Sequence, residues 1–271
     1  MQWVTWQQAA TASAGLTVAW LVLRGRRPSA AALAAGTQEL ALISALYAVW
    51  RLGFQLPLTH EAGALDRARQ IAEVQERLHL PSELSVQQAV LPHDWLANLL
   101  NDYYAVAHVP GLIVFMIWLF VRHRDCYPHW RNGLALLTGA SLLLHFVRVA
   151  PPRFILELGF VDLSQRFGFD VYGPPGSAVS DQFAAMPSIH VGWAAVVALG
   201  AVAASRSAWR WVAFSHLPLT VFAVTATGHH WWLDGAAAIA LLLVGLRIDT
   251  VARRRIVARR PTVATVQTPA I

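Results

Sequence analysis

The chain has 271 residues, 56% of them hydrophobic and only 13% charged; a soluble domain carries roughly a quarter charged residues, so lipid is the expected solvent for most of it. All 21 basic residues are arginine, which excludes a lysine nucleophile, a Schiff base and a Walker-type phosphate loop, and the single Cys126 excludes an intramolecular disulfide and any multi-cysteine metal or iron–sulfur site. The formal charge of +6 lies beside apolar stretches, where membrane topology accounts for it and nucleic acid is not an expected partner.

Seven apolar stretches follow one another, near Trp3–Leu23, Leu40–Leu56, Leu99–Val121, Leu134–Ala150, Ile189–Ala204, Trp211–Ala226 and Trp231–Leu246. Each is about as long as a helix needs to cross the hydrocarbon core, and irregular backbone facing lipid is too costly there. The expected fold is therefore all-α, a polytopic membrane bundle of six to seven transmembrane helices, with the first stretch open as to whether it spans. The N-terminus lacks a basic n-region and a clear cleavage site, so it is not read as a removed signal peptide. No internal repeat is visible.

Two segments between the stretches are long. Residues 57–98 contain a helical pattern over Glu61–Leu80: Ala64, Leu65, Ala68, Ile71, Ala72, Val74 and Leu78 fall on one half of a helical wheel, and Asp66, Arg69, Gln70, Glu73, Glu76 and Arg77 on the other. Arg67 and Gln75 break the apolar stripe. This predicts an amphipathic helix lying on the membrane or over a neighbouring loop. Pro151–Pro187, rich in Gly and Pro at Gly173, Pro174, Pro175 and Gly176, reads as an ordered loop or lid. The organisation expected is two transmembrane helices in 1–56, an extracytoplasmic amphipathic segment in 57–98, a catalytic helical bundle in 99–248, and a basic, disordered tail in 249–271.

Sorting the loops by alternate sides places 14 of the 21 arginines on one side: Arg24, Arg26 and Arg27; Arg122, Arg124 and Arg131; Arg206 and Arg210; and Arg247 with the five in the tail. The positive-inside rule puts that side, with the C-terminus, in the cytoplasm of a bacterial-type plasma membrane. Three polar clusters then fall together at the opposite, extracytoplasmic face: Arg148–Arg153, Pro187–His190 and Gly228–Asp234. Ionisable groups at membrane depth are costly and mark function.

His230 and Asp234 are four apart, on one face of the start of the last helix. A carboxylate there can accept the proton of one ring nitrogen and leave the other free to attack. Trp231 and Trp232 read equally as an interfacial aromatic belt. Pro187 and Ser188 open the fifth stretch as good N-terminal residues, where backbone N–H groups favour an anion such as phosphate. His190, one turn in, can donate a proton to a leaving oxygen. Arg153 is the better candidate to hold phosphate oxygens; Arg148 either does the same or snorkels toward lipid head groups. Gly228 and His229 adjoin the same phosphate position. Asn101, Tyr104 and His108 share a face of the third stretch and either line the cavity or glue helices together. His145 reads as a packed or hydrogen-bonded core residue.

Together these residues resemble the type 2 phosphatidic acid phosphatase superfamily, the lipid phosphate phosphatases. Pro187-Ser188-Ile189-His190 resembles its Pro-Ser-x-His second motif, and His230-Trp-Trp-Leu-Asp234 the His-x-x-x-Asp end of its third. The resemblance covers about Leu99–Leu246. It implies a helical core with the catalytic histidines near one membrane face, a phosphohistidine on His230 oriented by Asp234, His190 as general acid, and no metal or other cofactor. The better-known members begin their first motif with Lys, and carry Arg six residues before the nucleophile where this chain has Val224. In those respects, and in Ala150-Pro-Pro-Arg153 and Thr227-Gly-His-His, the chain looks more like the branch containing inositol phosphorylceramide synthase. The expected function is phosphoryl transfer on a lipid phosphate or phospholipid head group, to water or to an alcohol acceptor. Two other classes stay open: a membrane transporter, and a metalloenzyme ligated by His190, His229 and His230.

Overall fold

The computed structural model describes residues 4–25, 28–55, 62–167 and 182–258. The described residues are helical, joined by turns and one isolated bridge between Val149 and Ala184. The Gly- and Pro-rich loop expected around 173–176 and the end of the tail, 259–271, lie outside them.

The N-terminal pair is α1 (Trp6–Leu23), opened by a Thr5–Gln8 capping box, and α2 (Ala31–Gln55), which packs on it. The pair leans on α7 (Tyr127–Leu144), where Arg131 and the Tyr127 hydroxyl both reach the Glu39 carboxylate. The amphipathic segment folds as two helices, α3 (Ala64–Arg77) and α4 (Glu83–Val90). The second was not anticipated.

The third apolar stretch is a broken rod. α5 (Asp94–Val106) and α6 (His108–Arg122) meet at 49°. Pro110 has no N–H to give, and its ring crowds the carbonyl four residues back, at Val106, so the break falls there. The fourth stretch is displaced: α7 ends at Leu144, which leaves His145 and Arg148 in the turn beyond it. The chain then runs extended at Val149–Ala150 beside Phe183–Ala185, with Val149 N–H donating to Phe183 and Ala185 N–H donating back to Val149. A short α8 (Leu163–Phe167) follows.

The core is built around α9 (Ile189–Ala204), which touches α6, α7, α10 (Trp209–Ala226) and α11 (Trp232–Ala258). Small residues let those helices approach closely. A Cβ on Gly192 would meet a Leu137 methyl at 2.8 Å, and one on Gly200 would strike the Phe115 ring. α11 does not stop at Leu246; its last turns continue into what the sequence suggested was tail. Asp249, 6% exposed, holds them by accepting from His129, Asn132 and Arg253.

Among the described residues, two helices are long and apolar enough to cross a membrane, 31–53 in α2 and 232–256 in α11, with α5–α6 a third if the bent pair counts as one span. That is fewer than the seven stretches. The reasons are the Pro110 break, the 16-residue length of α9, and polar side chains in α7 and α10 such as His129, Asn132, His216 and Thr220.

Candidate active site

His230 lies in the tight turn between α10 and α11. Gly228 shapes that turn with a φ of +69°, a conformation costly for any residue with a Cβ, and its carbonyl accepts from the Arg153 N–H at 2.9 Å. A Cβ on Gly228 would lie 3.3 Å from the Cβ of Arg153 and 3.1 Å from the Gln87 amide nitrogen. Gly228 therefore docks the Arg153 backbone against the histidine turn.

The His230 Nδ1 lies 2.8 Å from the Ala185 carbonyl. A carbonyl only accepts, so Nδ1 carries the proton and Nε2 presents its lone pair. Asp234, fully buried, stands 3.4 Å from the same Nδ1, while its Oδ2 accepts the Trp231 N–H at 2.8 Å. Asp234 is thus first the cap of α11 and only second a neighbour of the imidazole; the main orienting acceptor is Ala185, which spacing along the chain did not reveal.

The Nε2 of His230 faces the Nδ1 of His190 at 3.4 Å. Forty positions apart in sequence, the two rings meet because their helix starts are tied together: the Ser188 N–H donates to the Asp234 carbonyl at 3.0 Å. Ser188 caps α9, its Oγ accepting from Val191 N–H. At this separation the rings touch, and no phosphoryl-sized gap lies between them. The neighbouring cavity, about 580 Å³, is lined by Arg153, Phe154, Leu156, Phe160, Val161, Asp162, Gln165 and Arg166.

Arg153 is 2% exposed; its Nε lies 3.4 Å from Asp162 and its guanidinium lies over the Phe154 ring. It joins that cavity to the histidine turn. Arg148 is half-buried in the turn after α7, and its carbonyl accepts from the Arg67 guanidinium.

His229 occupies a different position from the one its neighbour suggests. Its Nδ1 is 2.7 Å from the Thr227 hydroxyl, its Nε2 is 3.4 Å from Ser164, and its ring stacks on Tyr104 at 3.9 Å between centroids. Burial first, and the charge of Arg153 second, hold it well below the usual imidazole range. Both ring nitrogens face protein partners, so the ring forms a wall of the site.

The break in the third stretch does not separate Asn101, Tyr104 and His108, all buried. The Tyr104 ring lies 4.5 Å from that of His190, and His108 meets His190 edge-on at 4.9 Å. Asn101 sits farther back, beside Ser164. His145 is buried at the end of α7, consistent with a packed residue. His216 was not singled out by sequence: it lies 5.7 Å from His108 between ring centroids, and its Nδ1 is 2.6 Å from the Tyr103 hydroxyl.

Three residues of the outer helices were also missed. The Trp232 N–H donates to Glu83, the Leu233 N–H donates to Gln75, and Gln87 makes two bonds to the Val161 backbone. The faint signal for Gln75 was its intrusion into the apolar stripe; Glu83 and Gln87, i and i+4 on an unanticipated helix, gave none.

No curated protein and no solved structure matches the chain. A family profile, described as the PAP2 superfamily, matches residues 69–248, a span that begins inside α3 and holds both histidine motifs. It supports phosphoryl transfer of the phosphatase type in general. By that match, over well more than half its length, the chain belongs to the PAP2 superfamily.

Proposed function

We propose that this protein is a membrane-embedded enzyme that transfers a phosphoryl group from a lipid phosphate or phospholipid head group through a phosphohistidine on His230. The observation that carries the reading is the imidazole pair. One ring has its tautomer fixed by Ala185 and its lone pair turned toward the second ring, 3.4 Å away. In this mechanism His230 Nε2 attacks phosphorus in line, and the His190 Nδ1–H passes its proton to the departing alcohol. The Asp234 carboxylate offsets the positive charge that develops on the His230 ring. Arg153, at the head of the cavity, holds the phosphoryl oxygens, with the start of α9 at Ser188 as a further source of positive potential. His190 then takes a proton from water or from an acceptor alcohol, which attacks the phosphohistidine. Because the two ring nitrogens lie 3.4 Å apart, substrate binding includes the parting of the rings.

The chain crosses the membrane several times in this reading, with the site on the extracytoplasmic face as the arginine distribution requires. A metal held by His190, His229 and His230 fits poorly, since Thr227, Ser164 and Ala185 already engage three of the ring nitrogens. A transferase is favoured over a phosphatase by one observation. The α3–α4 hairpin lies over the start of α11, with Ala64 and Ala68 packed in one cluster with Trp231, and so shields the intermediate from water. The inositol phosphorylceramide synthase-like features of the sequence agree with that choice.

The test is phosphate release from dioctanoyl phosphatidic acid in detergent micelles by the purified protein and by His230→Ala. Turnover disappears in the variant while its elution and melting profiles stay those of the parent; near-normal turnover refutes the assignment. Adding a polyol or diacylglycerol acceptor and comparing free phosphate with transferred product separates phosphatase from transferase.

A further inference from the structure

We infer that Glu83 and Gln75, from the α3–α4 hairpin, are positioning residues for catalysis, holding the first turn of α11 so that His230 and Asp234 keep their alignment with His190. The inference rests on the reading of His230 as nucleophile.

A helix leaves its first N–H groups without partners, and a buried helix start needs acceptors. α11 begins at Trp232 with no Ser, Thr, Asp or Asn immediately before it, the residue there being Trp231. Asp234 reaches back to the Trp231 N–H at 2.8 Å, in the manner of a capping box. The next two groups depend on side chains roughly 150 positions away. The Trp232 N–H donates to Glu83 Oε1 at 3.0 Å, and the Leu233 N–H donates to Gln75 Oε1 at 3.0 Å. The Gln75 amide in turn donates to Glu83 Oε1 at 2.7 Å, so that the two acceptors form one unit. Both side chains are 4% exposed. The Trp232 indole N–H also donates to the Pro81 carbonyl at 2.7 Å, in the link between the two outer helices.

This clasp sits where a small displacement matters most. His230 is two residues before Trp232. The Asp234 carbonyl receives the Ser188 N–H, so the start of α9, with His190 two residues on, follows any shift of α11. The cavity residues around Arg153 are anchored separately, through Gly228 and through the pair of bonds between Gln87 and Val161. Loosening the clasp therefore misaligns the reacting groups and leaves the binding surface in place. That is the signature of a loss in kcat with KM unchanged.

The experiment uses the full chain in detergent with dioctanoyl phosphatidic acid, comparing the parent with Glu83→Ala, Glu83→Gln, Gln75→Ala and His230→Ala. The expected result for Glu83→Ala is a kcat lower by about 10- to 100-fold with KM within about twofold. Glu83→Gln, which keeps an oxygen for the Trp232 N–H, recovers to within about threefold of the parent. Hydrogen exchange followed by mass spectrometry adds a readout at the helix itself: peptides covering 229–235 exchange faster in Glu83→Ala and at the parent rate in Glu83→Gln. Parent values of kcat and exchange in Glu83→Ala, beside an inactive His230→Ala, overturn the inference, as does a raised KM at constant kcat. An active His230→Ala overturns the reading beneath it. If Glu83→Ala does not fold, Gln75→Ala decides by the same criteria, because it removes the acceptor of Leu233 and the amide bond to Glu83 while leaving the Glu83 carboxylate in place for the Trp232 N–H.

Discussion

Replacing Asp234 with Asn separates its two contacts. The carboxylate accepts the Trp231 N–H at 2.8 Å and lies 3.4 Å from the protonated Nδ1 of His230, which donates to Ala185 at 2.8 Å. Asn keeps an acceptor for Trp231, and Ala185 keeps the tautomer, so the structural change is small. What is lost is a negative charge beside a ring that becomes positive when its other nitrogen bonds phosphorus. Two unit charges about 4 Å apart at an effective dielectric constant near 20 interact by about 4 kcal/mol, or about a thousandfold in rate, which is the upper bound. The Asn dipole returns part of this. The expected fall in kcat is therefore about 100- to 1,000-fold, with KM nearly constant. Phosphate release from dioctanoyl phosphatidic acid measures it, and a melting curve in the same detergent checks that the helix cap survives. Asp234→Ala is the companion. It also leaves the buried Trp231 N–H unpaired, at about 1–3 kcal/mol, and melts several degrees lower. An Asn variant within about threefold of the parent would show that the charge next to His230 is not used, and that Asp234 serves the helix alone.

Two further outcomes follow from residues around the site. Gly228→Ala places a Cβ in a left-handed turn at φ +69°, 3.3 Å from Arg153, and is expected to destabilise the protein by about 2–4 kcal/mol and to lower kcat/KM; parent-level melting and turnover would mean the turn relaxes freely. Burial raises the carboxyl of Glu83 above its ordinary value near 4.5. A raised carboxyl contributes stability that is fully present below the unfolded value and is lost as pH rises through the folded one. Glu83→Gln is therefore expected to melt progressively higher relative to the parent as pH is taken from about 4 to 7. A difference that is flat across that range contradicts the assigned burial of the charge.

Much of the bundle was legible because lipid-length apolar runs leave little choice of secondary structure. α9, α10 and the start of α11 fall within a few residues of the stretches that announced them. The misses have identifiable causes. Pro110 was present in the third stretch, but hydropathy averages over it, so the 49° break between α5 and α6 did not register. The polar start of α7, Tyr127–Asn132, lies ahead of the apolar stretch that begins at Leu134; its Arg131 and Asn132 are satisfied by Glu39 and Asp249 from neighbouring helices. Charge density suggested that α11 ended before Asp249, yet that residue is what fastens its last turns to α7.

The site shows the same division between what spacing encodes and what only folding supplies. The clustering of His190, His230 and Asp234 was readable because all three lie at helix starts, and helix starts have a local grammar. Ala185 was not, since its contribution is a carbonyl oxygen that every residue possesses. His229 adjoins His230 in sequence but faces elsewhere: in a tight turn, consecutive side chains point apart, and this one turns back onto Thr227, Ser164 and Tyr104. The instructive pair is Arg67 and Gln75. Both interrupt the apolar face of α3, and an amphipathic helix lying on lipid has no use for either there. Both turn out to face protein: Arg67 donates to the Arg148 carbonyl, and Gln75 to Glu83 beside the first turn of α11. A polar residue on the wrong side of a helix was thus the one signal in the sequence that the outer segment bears on the site and is more than a membrane float. Its weight follows from desolvation, because an unpartnered amide or guanidinium buried against apolar neighbours costs several kcal/mol, so its presence implies an acceptor on the facing element.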